Sequence, residues 1–176
     1  MPSPKPGAVL VSEKEIAARV AELGRTIARD YASANLVLVG VLQGAIPFVA
    51  DLMRVVALDL TIDFLRTSSY GAGTTSSGVV QLVTDLSVDI AGRHVLIVDD
   101  IVDTGHTLAA LIRTLQARSP RSVRSCVLLD KTGRRETQIV VDYVGFTIPN
   151  VFVVGYGLDY HGLYRNLPYV ATLDGI

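Results

Sequence analysis

Residues 95–108 read VLIVDDIVDTGHTL. An apolar, β-branched run leads into Asp99, Asp100 and Asp103, then into Thr104, Gly105, His106 and Thr107 at the start of a helical pattern. In open parallel sheets, ligands gather beyond the C-terminal ends of the strands. The spacing places the aspartates at such an end and the Thr-Gly-His-Thr turn at the following helix N-terminus. Free backbone N–H groups and the positive end of the helix dipole suit a phosphate dianion there, and glycine lets the backbone approach closely. Carboxylates repel phosphate, but they accept hydrogen bonds from ribose hydroxyls and bind Mg²⁺, which prefers oxygen ligands. A phosphorylated ribose carrying a diphosphate meets all three demands. Asp103 alone could be no more than a helix N-cap; three acids plus the turn after a buried strand favour a ligand site. The stretch is neither a Walker loop nor G-x-G-x-x-G.

The elements that must position these residues follow from periodicity. SEKEIAARVAELGRTIARDY opens with Ser12 and Glu15 in capping-box spacing, and Ile16, Val20, Leu23 and Ile27 make one apolar helix face. LVLVGVL reads as a buried strand, IPFVADLMRVV as a helix with Pro47 in its first turn, and LDLTIDFLRTSSY as a strand. GAGTTSSG reads as a mobile loop, VVQLVTDLSV as an antiparallel return strand, and DIAGRH as a turn. VLIVDD is a strand, TLAALIRTLQAR a helix ending near Pro120, and SVRSCVLLD a strand. QIVVDYVGF and NVFVVGYGLD supply two extended pieces, and MPSPKPG is expected to fray. Strands alternating with helices predict an α/β domain with a mainly parallel sheet.

Composition narrows the function. The 176 residues suit one domain with a proper core, and a net charge of −1 provides no global basic field for nucleic acid. The uncharged run 31–50 contains Asn35, Gly40, Gln43, Gly44 and Pro47, which fit strand, turn and helix better than a membrane span. The one cysteine, Cys126, reads as a buried core residue; with no signal peptide visible, a cytoplasmic protein is expected. His94, His106 and His161 have no metal-ligand clustering.

With these residues in view, VLIVDDIVDTGHTL resembles the phosphoribosyl-diphosphate (PRPP) motif of the type I phosphoribosyltransferases. VGVLQGAIPFVADL resembles their first diphosphate loop, SSYG the start of their flexible active-site loop, and LLDKTGRR the strand end bearing a purine-reading lysine. VGFTIPNVFVVGYGLDYHGLYRNLPYV resembles the C-terminal hood of the hypoxanthine-guanine branch. The likeness runs from about Ser12 to Val170. It implies a type I phosphoribosyltransferase fold: a twisted sheet flanked by helices, a flexible antiparallel loop and a small hood. The implied division is one domain over 1–176, with a core at about 32–148 and a hood from about 8–20 and 149–176.

The resemblance also implies a Mg²⁺-dependent reaction of PRPP with hypoxanthine or guanine, giving IMP or GMP and diphosphate. Asp103 would be the general base near purine N7. Asp99 and Asp100 would hold the ribose hydroxyls and Mg²⁺, with Asp159 near the guanine 2-amino group or a second Mg²⁺. Thr104, Gly105, His106 and Thr107 would bind the 5′-phosphate. Lys131 would donate to O6, Phe152 would stack on the purine, and Val153 would read its edge through the backbone. Gln43, Gly44 and Arg165 would hold diphosphate, and Ser69 and Tyr70 would close from the loop. A homodimer or homotetramer is implied, with no nucleic acid and no membrane partner. Three positions depart from the common pattern. Gln43 stands where a basic residue is frequent, Asp99 where Glu is frequent, and His106 where Lys or Arg is frequent. A xanthine-preferring transferase and a nucleotide-sensing, RNA-binding regulator are the alternatives.

Overall fold

The computed structural model describes residues 4–69 and 80–175. Helix α1 (Glu13–Asp30) starts at a complete capping box between Ser12 and Glu15 and buries Ile16, Val20, Leu23 and Ile27. Strand β2 (Leu36–Leu42) is apolar throughout, and helix α2 (Ile46–Val55) carries Pro47 at its start, where a missing N–H costs no helical bond. Strands β3 (Leu60–Ser69), β4 (Val80–Thr84) and β5 (His94–Val102) follow, then helix α3 (His106–Gln116) and strand β6 (Ser122–Asp130). A 3₁₀ turn (Thr132–Arg134) and strand β7 (Tyr143–Thr147) complete the main sheet. Among the described residues, no helix is long and apolar enough to cross a membrane.

The six-stranded sheet has the order β4-β3-β2-β5-β6-β7, with only β4 antiparallel. Alternation along the strands serves two cores. Leu36, Leu38, Leu96, Val98, Cys126 and Leu128 join α1 and α2 on one face. Val37, Val39, Val41, Val95, Ile97 and Val127 join Leu108, Leu111 and Leu115 of α3 on the other. Coverage of both faces explains why β2 shows no polar alternation. Cys126 is fully buried, as its setting predicts.

A second, three-stranded antiparallel sheet has the order β1-β9-β8, formed by β1 (Lys5–Val11), β8 (Val153–Val154) and β9 (Val170–Asp174). Lys5–Gly7, expected to fray, are therefore strand; β9 supplies the ladder, Pro6 is tolerated on an edge, and Tyr164 Oη donates to Pro4 O at 2.6 Å. Three other expectations are corrected. β5 does not stop at Asp100: its ladder with β2 ends at Val98, but its ladder with β6 continues to Val102. Residues 138–142 are not strand, because the segment before Tyr143 is drawn instead to Thr104, whose carbonyl accepts from Glu136 N at 3.0 Å and Thr137 Oγ1 at 3.2 Å. After Val154 the chain turns, with φ of 99° at Gly155, 47° at Tyr156 and 99° at Gly157. A run of positive φ cannot extend a strand.

Candidate active site

The parallel sheet changes direction of growth between β2 and β5, since β3 lies to one side of β2 and β5–β7 to the other. Ligands of open α/β sheets bind at such a switch point. Here it brings together the loop after β2, carrying Gln43 and Gly44, and the segment after β5, carrying Asp103 to Thr107. The Leu42–Gln43 peptide is cis. Gly44 is buried, and a Cβ there would collide with the Asp100 carboxylate; a Cβ on Gly157 would collide with the Gly44 carbonyl. The Gly155–Gly157 turn, the diphosphate-loop candidate and Asp100 therefore meet without room for a methyl group. The turn is held from behind by Tyr156, whose hydroxyl donates to Asp51 Oδ2 of α2 at 2.6 Å.

Pleating separates the neighbouring aspartates. Successive strand residues point to opposite faces. Asp99, 7% exposed, lines a recess of about 120 Å³ with Thr104, Gly105 and Thr107. Asp100 lines a larger pocket of about 480 Å³. Burial, and then the charge of Asp100, pushes the Asp99 carboxyl well above the usual carboxylate range; burial also pushes Asp100 up. Beside the recess, α3 begins at Gly105 without a side-chain cap, so Asp103 is not the N-cap. Gly105 has φ 89°, and Thr137 occupies the place of its missing Cβ. Its glycine requirement thus comes from backbone conformation and from Thr137. His106 Nε2 lies 2.9 Å from Glu136 Oε2 on the same supporting segment.

The larger pocket draws Asp100, Asp103, Lys131, Phe152, Val153 and Asp159 to one wall-to-wall space. Lys131 is buried at the end of β6, with its N–H donating to Val102 O at 3.0 Å and its Nζ 3.8 Å from Asp103 Oδ2. Phe152 is 44% exposed, with its ring edge-on to Tyr160. Arg165 pairs with Asp159 at 2.7 Å and donates to Gly157 O at 2.6 Å. The Gln43 side chain is exposed. Ser69 ends β3, and Tyr70 lies outside the described residues, as does the GAGTTSSG loop. Sequence reasoning missed Arg134, Asn150 and Val151 in this pocket, and the support of the turn by Glu136 and Thr137. The glycines flanking Tyr156 are the available signal for the tight turn there.

The phosphoribosyl transferase domain family matches residues 10–161. The hypoxanthine-guanine phosphoribosyltransferase of Mycobacterium avium is 51% identical over 172 residues, covering 94% of this chain and 85% of that one. The bifunctional protein TilS/HprT of Listeria monocytogenes (serotype 4b, strain F2365) is 48% identical over 165 residues, but this chain spans only 26% of its length. The crystal structure of a hypoxanthine phosphoribosyltransferase from Staphylococcus aureus is similar at TM-score 0.93 and 46% identity, covering 96% of this chain and 91% of that one. Fold, switch-point site and relatives agree, and the chain belongs to the phosphoribosyl transferase domain family, in its hypoxanthine-guanine branch.

Proposed function

We propose that the chain transfers the phosphoribosyl group of PRPP to hypoxanthine or guanine, giving IMP or GMP and diphosphate, in purine salvage. The observation that carries this reading is the junction of two spaces. A pocket with Lys131, Phe152 and Val153 adjoins a smaller recess at an uncapped helix start, and Asp103 lines both.

Lys131 donates to purine O6. Adenine would present its 6-amino donor to that donor, which explains a preference for oxopurines. The exposed Phe152 ring stacks on the base, and Val153 reads its edge through the backbone. The 5′-phosphate sits in the recess on the N–H groups and hydroxyls of Thr104 to Thr107. Gly44, with no side chain to clash with Asp100, offers its backbone to diphosphate, with Gln43 and Arg165 alongside; Arg165 then exchanges its contact with Asp159 for one with the ligand. As purine N9 bonds to the anomeric carbon, the bond from that carbon to diphosphate breaks, and the N7 proton passes to Asp103. Carboxylates near the anomeric carbon stabilise its developing positive charge. Tyr70, with Ser69, closes over the site and keeps water from the activated sugar.

The donors present fit Mg²⁺. Among the described residues, no three acidic, His or Cys side chains form a protein cage. Mg²⁺ is commonly held by one or two carboxylates plus substrate oxygens and water. Asp99, buried, and Asp100, half-buried, are carboxylates whose charge a cation would offset, and Asp159 would be a further ligand. When bound, the ion would neutralise diphosphate charge. A cytoplasmic homodimer or homotetramer completes the proposal. The test is nucleotide formation from PRPP with hypoxanthine, guanine, xanthine and adenine, with and without Mg²⁺. Turnover of hypoxanthine or guanine is expected; no turnover of any oxopurine overturns the reading, and xanthine as the best substrate redirects it.

A further inference from the structure

Arg134 closes the 3₁₀ turn that follows Lys131, its N–H donating to Lys131 O at 3.2 Å. That turn aims both cations at one oxygen. Arg134 Nη1 lies 3.4 Å from Asp103 Oδ2, and Lys131 Nζ lies 3.8 Å from the same atom. The other oxygen, Asp103 Oδ1, is buried and has no hydrogen-bond partner among the described residues. A carboxylate closed off without a partner at one oxygen is unfavourable by itself, so its orientation depends on what grips the other oxygen.

We infer that Arg134 is a positioning residue: it anchors Asp103 by Oδ2 and so fixes the orientation of the carboxylate that takes the purine proton. This rests on the phosphoribosyl-transfer reading above. Lys131 is a poor sole anchor, because purine O6 claims its ammonium group, which is a point charge on a flexible stem. When Nζ moves toward O6, a carboxylate paired only with Lys131 would be free to follow it. Arg134 is half-exposed, has no role toward O6, and keeps a planar guanidinium on Oδ2 through that movement. In the transfer step the proton leaves N7 for the Asp103 carboxylate, the bond to N9 forms and diphosphate departs; Arg134 acts on this step only through Asp103.

Three variants and one structure test the inference. Arg134→Gln is expected to lower kcat with hypoxanthine about tenfold, the size of effect a misplaced catalytic group produces. KM for PRPP should stay within about twofold, because Arg134 does not line the phosphate recess. Arg134→Lys, which keeps a cation within reach of Oδ2, should recover most of the rate. Asp103→Asn combined with Arg134→Gln should be no slower than Asp103→Asn alone. A kcat within about twofold of wild type in the Gln variant, a Lys variant as slow as the Gln variant, or a loss confined to KM for PRPP would each overturn the inference. The crystal structure of Arg134→Gln reads the same point without turnover. Asp103 should rotate and Oδ1 leave its buried place; an unmoved Asp103 overturns the inference. A rotated Asp103 in a chain whose wild type converts no oxopurine would sink the transfer reading and leave the anchoring of Asp103 by Arg134 standing.

Discussion

Away from the pocket, Asp142 accepts from the Ser125 N–H at 2.8 Å and its hydroxyl at 3.3 Å, and Asp30 accepts from the Tyr143 hydroxyl at 2.9 Å. Where β5 ends, Asp103 leaves one buried oxygen unpartnered, and Asp99 lies shut in next to Asp100. Asp142 and Asp30 are exposed residues at the margin of the sheet, whereas Asp99 is buried and Asp103 half-buried. The first meets its hydrogen-bonding needs within the protein, and its product is a joined β6 and β7. The second leaves Asp103 Oδ1 unmet, which lowers stability by about 1–3 kcal/mol, while Asp99 Oδ1 accepts from the Asp100 N–H at 3.0 Å. Tyr31 is the exception in the first region, since its buried hydroxyl has no partner either. The two sets of acids thus differ both in burial and in whether neighbours already saturate them.

Substitutions on the two sides should separate cleanly. The largest effect is expected from Asp103→Asn, which keeps the shape but cannot accept the proton. Its kcat should fall by about 10²-fold or more, in the range of general-base contributions, with KM for PRPP changed only a few-fold. An effect on KM alone would place Asp103 with the binding groups. Lys131→Ala should come next, relaxing discrimination against adenine by about 10–100-fold in kcat/KM. Unchanged discrimination in competing-substrate assays would remove Lys131 from the O6 contact. Asp142→Ala, on the saturated side, should behave oppositely. It strands the N–H of fully buried Ser125 and should cost about 2 kcal/mol in urea unfolding, while kcat stays within about twofold. A large fall in kcat at full stability would erase the distinction between the regions.

The parts of this comparison differ in how far they could be read from residue order. α1 was legible because Ser12, Glu15 and the apolar face at 16, 20, 23 and 27 are local signals. β2, α2 and α3 were legible for the same reason, and so was the turn beginning at Asp103. The pairing of Lys5 with Asp174 was not, because only the folded chain brings β1 to β9. Residues 138–142 misled because Val140 and Val141 carry β-propensity, while the local outcome was decided by hydrogen bonds to Thr104, that from Thr137 spanning 33 residues of chain. Arg134 was illegible as a partner of Asp103, since nothing in LLDKTGRR distinguishes it from a solvated surface charge. Residue types carry the chemistry proposed around Asp99 to Thr107; which acid lines which space required the fold.

Asp63 extends the saturated class to the other side of the sheet and makes its pH dependence measurable. Its carboxylate accepts from Phe64 N at 2.8 Å, Ser87 N at 2.6 Å, Val88 N at 3.0 Å and Ser87 Oγ at 3.1 Å, tying β3 to the turn that leads toward β5. Partial burial pushes the carboxyl up, but these hydrogen bonds together outweigh it and hold it below the ordinary carboxylate value. A folded-state value below the unfolded one means that the ionised form is favoured by folding. The contribution is therefore complete above the unfolded Asp value of about 3.9 and is lost as pH falls through the lower folded value. Asp63→Ala should cost about 1 kcal/mol at pH 7, the smallest effect predicted here, and the gap to wild type should narrow on acidification below about pH 4. Parallel urea titrations at pH 7 and at a series of acidic values measure that gap directly. A gap that widens on acidification would mean that Asp63 is favoured in its protonated form, and would move it out of the saturated class.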